Sequence, residues 1–385
     1  MKRVVILGST GSIGQSALEV IKCFPDEFRV LALSANSNID LLYRQAKVYH
    51  PEYVCVNQKN SALELNSRLK SGVKVLFGPD GLSKIINTKG VDIVLLAISG
   101  AAALSPLLET IESGISVALA NKEALVMAGP IIIKRALEKK VKIIPIDSEQ
   151  SAIWQCLEGQ EKRSLKNIYL TASGGPLRNT QRAAFKNISV KQVLKHPRWK
   201  MGKKITVDSA TLMNKGLELL EAMYLFDTGP DKIKILIHPQ AIIHSMVEFI
   251  DGVLLAQLSA TDMRIPIQYA LSYPKRLPNR IKAVDFYRLK ELNFEKPNFK
   301  KFPCLGLAYQ AAREEGTAPC VLNAANEVSV AEFLQGKIKF MDIPKVIEKV
   351  LEKHQNIKQP DLNEIKLQDS WARRQAYRII GGLKG

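Results

Sequence analysis

Several things are scarce in this chain. Its five cysteines, Cys23, Cys55, Cys156, Cys304 and Cys320, form no CxxC pair. With 385 residues, that count excludes a small module held by disulfides. An odd number of scattered thiols suits reduced cysteines in a cytosolic protein, expected to be small buried hydrophobes. Long apolar runs are missing too. The longest uncharged stretch, Ile93 to Leu108, has 16 residues and is broken by Ser99, Gly100 and Pro106, short of the about 20 apolar residues that a bilayer span needs. No membrane segment is expected. The opening Met-Lys-Arg-Val-Val-Ile-Leu-Gly stops being apolar at Gly8 and reads as a first strand, not as a secretory leader. Internal repeats are absent. Acidic residues are few, 37 against 55 Lys and Arg, and the net charge of +18 calls for anionic ligands, nucleic acid, a membrane surface or plain solubility as its explanation.

What is present is ordinary for a globular protein: 46% hydrophobic and 24% charged residues exclude global disorder and fibrous repeats. The length predicts two or three domains. Up to residue 147, short β-branched runs alternate with helical patterns. The runs are Val4–Leu7, Arg29–Leu33, Tyr53–Val56, Val73–Leu76, Asp92–Ile98, Ser116–Ala120 and Val141–Ile146. Between them, Ile13–Cys23, Ile39–Val48 and Leu125–Leu137 carry apolar spacing near 3.6. This predicts an α/β, Rossmann-like doubly wound parallel sheet over residues 1–147. From 148 to 275 the alternation fails and polar motifs crowd together, predicting an α+β catalytic domain. Residues 276–303, rich in Pro, Lys and Arg, read as a linker. Residues 304–385 are helical by pattern and predict a C-terminal helical bundle.

The first strand runs into Gly8-Ser9-Thr10-Gly11-Ser12-Ile13-Gly14. Three glycines at a strand-to-helix turn suit a dinucleotide pyrophosphate: Gly8 for the turn, Gly11 for close approach, Gly14 for helix packing. The spacing is GxxGxxG, so an ordinary glycine turn stays open. The second strand ends in Ser34-Ala35-Asn36-Ser37-Asn38 with no acid to repel a ribose 2′-phosphate, which favours NADP over NAD. A polar turn with Asn36 left-handed explains the same residues.

Strand Val141–Ile146 leads into Asp147-Ser148-Glu149. On extended chain, residues two apart face the same way, so both carboxylates can meet one ion, although a solvated loop or a helix cap fits them as well. Glu218, four residues after Asn214 on one helix face, is a third candidate ligand. Carboxylates with no neighbouring Cys or paired His argue for Mg²⁺ or Mn²⁺ over Zn²⁺.

Taken together, Gly-Ser-Thr-Gly-Ser-Ile-Gly at 8–14, Asn-Lys-Glu at 121–123, Ile-Asp-Ser-Glu-Gln-Ser-Ala at 146–152, Thr-Ala-Ser-Gly-Gly-Pro at 171–176 and the run from His196 to Thr211 resemble the 1-deoxy-D-xylulose 5-phosphate reductoisomerase family in order and spacing. His238 to Ser245 and Asn323 to Glu327 extend the resemblance along the chain. It implies an NADP-dependent enzyme of non-mevalonate isoprenoid synthesis that rearranges a sugar phosphate and reduces the product, using NADPH and Mg²⁺, Mn²⁺ or Co²⁺. By motif position, Asp147, Glu149 and Glu218 hold the metal, and Lys122 stands with them in catalysis. Substrate falls to Lys122, Ser148, Glu149, Ser173, His196, Ser209, Asn214, Lys215 and Glu218. The cofactor falls to Thr10, Gly11, Ser12, Ile13, Ala35, Asn36, Ser37, Asn38, Asn121, Glu123 and Gly202. His196, Trp199 and Met201 match a flap over the substrate, His238, His244 and Asn326 are expected to be structural, and a homodimer is the family's habit. Three positions depart from the family: Ala241 for Ser, Thr261 for Pro, and Ser37 for a basic residue.

Two other readings compete. A semialdehyde dehydrogenase shares the glycine loop but needs a thiolate nucleophile. A nucleic-acid binder is suggested by residues 178–204, with nine Lys and Arg, no acid, and two aromatics, Phe185 and Trp199. The carboxylates argue against it, so no nucleic-acid partner is expected. The charge excess is lightest in residues 1–150, with 18 basic against 14 acidic residues, compared with 17 against 10 in 151–275 and 20 against 13 in the rest.

Overall fold

Each of the seven β-branched runs becomes a strand of one parallel sheet. The computed structural model describes residues 1–69, 72–195 and 202–383. In chain order it begins β1 (Lys2–Leu7), α1 (Ser12–Cys23), β2 (Phe28–Ala35), α2 (Ile39–Tyr49), β3 (Tyr53–Val56), α3 (Lys59–Arg68), β4 (Lys74–Phe77) and α4 (Gly78–Ile86). It continues with β5 (Ile93–Leu96), α5 (Leu104–Glu112), β6 (Ser116–Leu119), α6 (Glu123–Glu138), β7 (Ile143–Pro145) and α7 (Ser148–Leu157). The sheet order is β4-β3-β2-β1-β5-β6-β7, and β1 pairs in parallel with both β2 and β5. That is the doubly wound order, with its crossover beside β1. Val4 to Leu7 and Val94 to Leu96 are fully buried, as strands covered on both faces must be.

Two expected elements changed at their ends. The strand expected over Val141–Ile146 is Ile143–Pro145, because Lys140 is left-handed (φ 55°) and the Val141 N–H returns to Ala136 O at 2.8 Å to close α6. The helix expected over Leu125–Leu137 is Glu123–Glu138 with a break at Ala128 (φ −140°, ψ 30°). Pro130 lacks an N–H and restricts the residue before it, so a kink belongs there.

The chain then forms β8 (Leu165–Ala172), a one-turn α8 (Val190–Val193), α9 (Lys203–Thr211), α10 (Met213–Leu225), β9 (Ile233–Ile237), β10 (Ile243–Phe249) and β11 (Leu254–Leu258). These strands make a mixed sheet, β11-β10-β8-β9, parallel only between β8 and β9. After α11 (Arg264–Ser272) come α12 (Pro303–Glu314), α13 (Ala318–Leu334), α14 (Asp342–Glu352) and α15 (Leu362–Gly382).

The contacts separate two compact units. The first holds Met1–Ala124, Ile132–Ser151 and Asp262–Ile281, the second Leu125–Ile131, Ala152–Thr261 and Lys282–Gly385. In the first, Val4, Ile6, Leu33, Val54 and Leu95 of the sheet share a core with Leu18 and Ile21 of α1 and with Ile267 and Leu271 of α11. In the second, one apolar core runs from Ile168 and Leu170 of β8 through Leu217 and Leu220 of α10 to Val321, Val346 and Ala376 of the C-terminal helices. Each such Leu, Ile or Val contributes roughly 1.5–3 kcal/mol when buried. Helix α13 is buried on nearly every side, which explains a sequence apolar all round. Gly216 sits where an added Cβ would lie 2.4 Å from Ala308 Cβ, so α10 and α12 meet at a small residue. Among the described residues, no helix is long and apolar enough to cross a membrane.

Candidate active site

The glycine loop is built as its spacing demands. Gly8 has φ +92°, and a Cβ there would lie 2.7 Å from Ala97 O at the end of β5. A Cβ on Gly14 would lie 2.4 Å from Gly8 O and 2.5 Å from Ser9 Cα, so Gly14 packs on the loop itself, not on the strand. Ser9 is fully buried, its hydroxyl donating to Gln45 Oε1 at 2.7 Å while Gln45 Nε2 donates to Ser9 O at 2.9 Å. Gln45, which no motif marked, thereby locks the loop from α2. Gly11 is the N-cap of α1 with no side-chain cap, and the first turn holds no acid. Its N–H groups are available to an anion.

Beside this loop lies a cleft of about 540 Å³ at the C-terminal ends of β1, β2, β3 and β5. Of the expected cofactor residues, Thr10, Gly11, Ala35 and Asn36 line it. Ser12 opens α1 and Ile13 packs on the core. Asn36 turns the chain without being left-handed. Ser37 is exposed, while Asn38 Oδ1 accepts Leu41 N–H at 3.1 Å as the N-cap of α2. Asn121 is buried and donates to Ile98 O, Gly100 O and Glu123 Oε2 at 2.9, 3.1 and 3.0 Å. It bridges the ends of β5 and β6. Asn57, Gly78, Ser99 and Ala102 also line the cleft and were missed. Position at a strand end was their signal, and it requires the topology.

At the neighbouring ends of β6 and β7, Lys122 Nζ meets Asp147 Oδ2 at 2.8 Å, with side chains 6% and 13% exposed. Removing one partner of so buried a pair costs roughly 3–5 kcal/mol. The expectation that Asp147 and Glu149 share a strand face is corrected. Helix α7 starts at Ser148, the Asp147 carbonyl accepts Ser151 N–H at 2.8 Å, and Asp147 Oδ1 accepts Glu149 N–H at 3.2 Å. Asp147 therefore caps a helix whose first turn carries Glu149. Ser148 Oγ donates to Glu149 Oε2 at 2.5 Å.

In the second unit, Leu212 is left-handed (φ 60°) and splits α9 from α10, leaving the α10 N-terminus without a side-chain cap. Just inside it, Asn214 Nδ2 donates to Glu218 Oε1 at 2.5 Å and Lys215 Nζ to Glu218 Oε2 at 2.6 Å. Glu218 is 1% exposed. The loop carrying Ser173 lies on the end of α9: Gly175 (φ +69°) places a notional Cβ 2.5 Å from Ser209 O. The loop is shaped by Gly175 N–H donating to Ser173 Oγ at 3.3 Å. Next to Ser209, buried Asp208 is held by Lys204 Nζ at 2.9 Å and by Asn326 Nδ2 at 2.9 Å. Gly202 caps α9. His196, Trp199 and Met201 lie outside the described residues.

His238 is structural as expected: Nε2 accepts Ile242 N–H at 3.3 Å, so Nδ1 carries the proton and donates to Asn293 O at 2.9 Å. Two of the departures from the family touch. Thr261 Oγ1 donates to the carbonyl of Ala241, a left-handed residue with φ 52°, at 3.1 Å. All five cysteines are free. Burial pushes the Cys55, Cys156 and Cys304 thiols up to about 12, 11 and 12, and Cys320 further. Protonated thiols of this kind offer no nucleophile. Cys23, the exposed one, lies on α1.

Comparison with known proteins agrees with this geometry. Residues 4–129 match the family described as 1-deoxy-D-xylulose 5-phosphate reductoisomerase, residues 143–226 its C-terminal domain, and residues 258–375 the DXP reductoisomerase C-terminal domain. The 1-deoxy-D-xylulose 5-phosphate reductoisomerase of Thermodesulfovibrio yellowstonii is 49% identical over 381 residues, covering 99% of this chain and 100% of that one. The reductoisomerase of Caldanaerobacter subterraneus subsp. tengcongensis is 51% identical over 366 residues, 95% and 96% of the two chains. Among solved structures, the enzyme from Zymomonas mobilis in complex with NADPH superposes with TM-score 0.92 at 40% identity, over 98% and 99% of the chains. DOX-P reductoisomerase in complex with NADPH, fosmidomycin and magnesium gives 0.94 at 39% identity, over 100% and 99%. Likeness of this degree along the whole length settles the relationship: the chain belongs to the 1-deoxy-D-xylulose 5-phosphate reductoisomerase family.

Proposed function

We propose that the chain converts 1-deoxy-D-xylulose 5-phosphate to 2-C-methyl-D-erythritol 4-phosphate in non-mevalonate isoprenoid synthesis, using NADPH and a divalent metal ion. The observation that carries this reading is the buried Lys122–Asp147 pair at the C-terminal ends of β6 and β7. They lie on the same C-terminal edge of the parallel sheet as the dinucleotide cleft, which opens at the ends of β1, β2, β3 and β5. Ligands of open α/β sheets bind at that edge.

By motif position Asp147, Glu149 and Glu218 would hold the metal, and an all-oxygen donor set suits Mg²⁺ or Mn²⁺. When bound, the ion supplies Lewis-acid charge to the substrate's carbonyl and hydroxyl oxygens, and NADPH supplies the hydride. Lys122 sets an ammonium beside the developing negative charge, and its pairing with Asp147 fixes that ammonium in place. Ser148 orients Glu149 and offers its hydroxyl to the substrate. Ser173, Ser209, Asn214 and Lys215 bind the phosphate. Lys215 has three donor hydrogens, so it can keep Glu218 and still reach a phosphate oxygen. The α10 N-terminus adds positive potential at the same place. Residues 1–147 form the NADPH-binding domain in this reading, 148–275 the catalytic one, 276–303 the linker and 304–385 the helical one. NADP over NAD follows from the neutral end of β2. A homodimer is supported by edge strand β11, where Leu254 and Leu255 are 51% and 39% exposed, since apolar edges are normally covered. A cytoplasmic location is supported by the free thiols.

The test is direct. NADPH absorbance should fall when 1-deoxy-D-xylulose 5-phosphate and Mg²⁺ are added and stop falling with a chelator. Oxidation of NADPH that ignores either addition would refute the reading.

A further inference from the structure

The chain carries a net charge of +18, yet the described residues lining the dinucleotide cleft, fifteen in all, include no Lys, Arg, Asp or Glu. In a fold of this order the adenosine ribose lies beside the end of the second strand, and a 2′-phosphate there is commonly met by an arginine. Here Ala35 ends β2, followed by Asn36 and Ser37, and Val56 ends β3, followed by Asn57. The two turns are joined, with Asn57 N–H donating to Asn36 O at 3.4 Å. Among the described residues, the carboxamides of Asn36 and Asn57 make no hydrogen bond, and both line the cleft. Two neighbours accept backbone N–H groups. Asn38 caps α2, and Ser34 Oγ accepts Gly8 N–H at 3.1 Å. The acid of this segment, Asp40, is tied to Arg68 at 2.8 Å. Lys59 opens α3 but is not among the lining residues.

We propose that Asn57 is a specificity-determining residue for the cofactor: with Asn36 and Ser37 it reads the ribose 2′-phosphate of NADPH through neutral hydrogen bonds, with no cation. This rests on the NADPH reading above. A neutral donor to the phosphate brings one charge to the contact where an arginine brings two, so the preference over NADH is smaller and less sensitive to salt than an ion pair would give.

The test measures dissociation constants of NADPH and NADH by cofactor fluorescence on the metal-free, substrate-free chain, with thermal unfolding as the fold control. Asn57→Ala should weaken NADPH about fivefold, the loss of one neutral hydrogen bond, and leave NADH within about twofold. Asn57→Asp keeps the shape and adds a negative charge, and should weaken NADPH more than the alanine does, again sparing NADH. In the parent chain the ratio of the two constants should hold within about twofold from low salt to about 0.3 M, where the Debye length has fallen below 10 Å. Equal losses for both dinucleotides, no loss for either, a ratio that collapses with salt, or a preference erased by Lys59→Ala would each overturn the proposal. A parent chain that binds NADPH while Asn57→Ala keeps its preference removes this inference alone. A parent chain that binds neither dinucleotide removes the cofactor reading, and this inference with it.

Discussion

Gly175→Ala is the sharpest test of the second unit, because its effect can be worked from the backbone. Gly175 is left-handed at φ +69°, and its added Cβ would lie 2.5 Å from Ser209 O and 3.0 Å from Ser209 C. The left-handed region alone costs alanine roughly 1–2 kcal/mol. Ordinary carbon contacts begin near 3.4 Å, so the loop must also lift by nearly 1 Å. Both atoms it meets are main chain in α9, which cannot rotate aside. The lift carries Ser173 away from Ser209, two of the four proposed phosphate donors. A misplacement of about 1 Å can cost about 100-fold in rate, so kcat/KM for 1-deoxy-D-xylulose 5-phosphate should drop by one to two orders of magnitude. The dissociation constant of NADPH should stay within about twofold of the parent's. Gly14→Ala is the mirror experiment: its Cβ meets Gly8 O at 2.4 Å, so the displaced element is the phosphate loop, and NADPH binding should fail first. Steady-state kinetics and a fluorescence titration on both variants decide the matter. If Gly175→Ala weakened NADPH as much as it weakened turnover, or left kcat/KM unchanged, the assignment of the 173–176 loop to phosphate would be wrong.

Three further outcomes are expected. Glu218→Gln keeps the shape of a residue that is 1% exposed and should nearly abolish turnover while NADPH still binds; near-normal kcat would remove Glu218 from the metal set. Lys215→Ala should raise KM for the substrate far more than it lowers kcat, and an unchanged KM would end its role at the phosphate. It should also lower the unfolding temperature, because Glu218 then loses a bond of 2.6 Å in a buried site. Thiol labelling near pH 8 should modify Cys23 and spare the rest, because burial holds Cys55 and Cys304 at about 12 and Cys156 at about 11. A raised pKa keeps the thiol protonated at pH 8, with a thiolate fraction of roughly 10⁻³ or less. Two or more fast-reacting thiols in the folded chain would contradict this.

How much could be read without coordinates depended on what each residue's neighbours along the chain reveal. The parallel sheet was legible because a strand buried on both faces must be a short apolar run, and Val4–Leu7 and Ile93–Leu96 are such runs. The mixed sheet was not. In β8, polar Lys166 and Asn167 interrupt the apolar residues, and β11 carries Leu254 and Leu255 outward, so neither shows alternation with a buried face. Motif position marked Asn38 and Asn121 as cofactor residues; what it could not show is that Asn38 Oδ1 caps α2 and that Asn121 bridges two strand ends. Asn57 and Gln45 carry no local signature at all. Their places follow from which strand neighbours which, and that is decided by the whole chain. The same holds for Asp147, where the extended reading failed because the helix begins one residue later.

The charge of the chain has a different meaning once its buried members are followed. Among the described residues, the buried lysines are Lys122 and Lys215, and each holds a carboxylate, Asp147 at 2.8 Å and Glu218 at 2.6 Å. The dinucleotide cleft is lined without charge. Among the described residues the other Lys and Arg are at least partly open to solvent, where salt screens their charge within about 10 Å. Such charge can raise the encounter rate of a sugar phosphate or a dinucleotide, and that contribution falls with ionic strength. It cannot supply the affinity of a contact at hydrogen-bond distance. Recognition at close range has to come from donors that are already oriented: the first N–H groups of α1 and α10, and the carboxamides and hydroxyls at the strand ends. Oriented neutral donors lose little when the solvent becomes salty, so rates of association and affinities at equilibrium should respond to salt very differently in this protein.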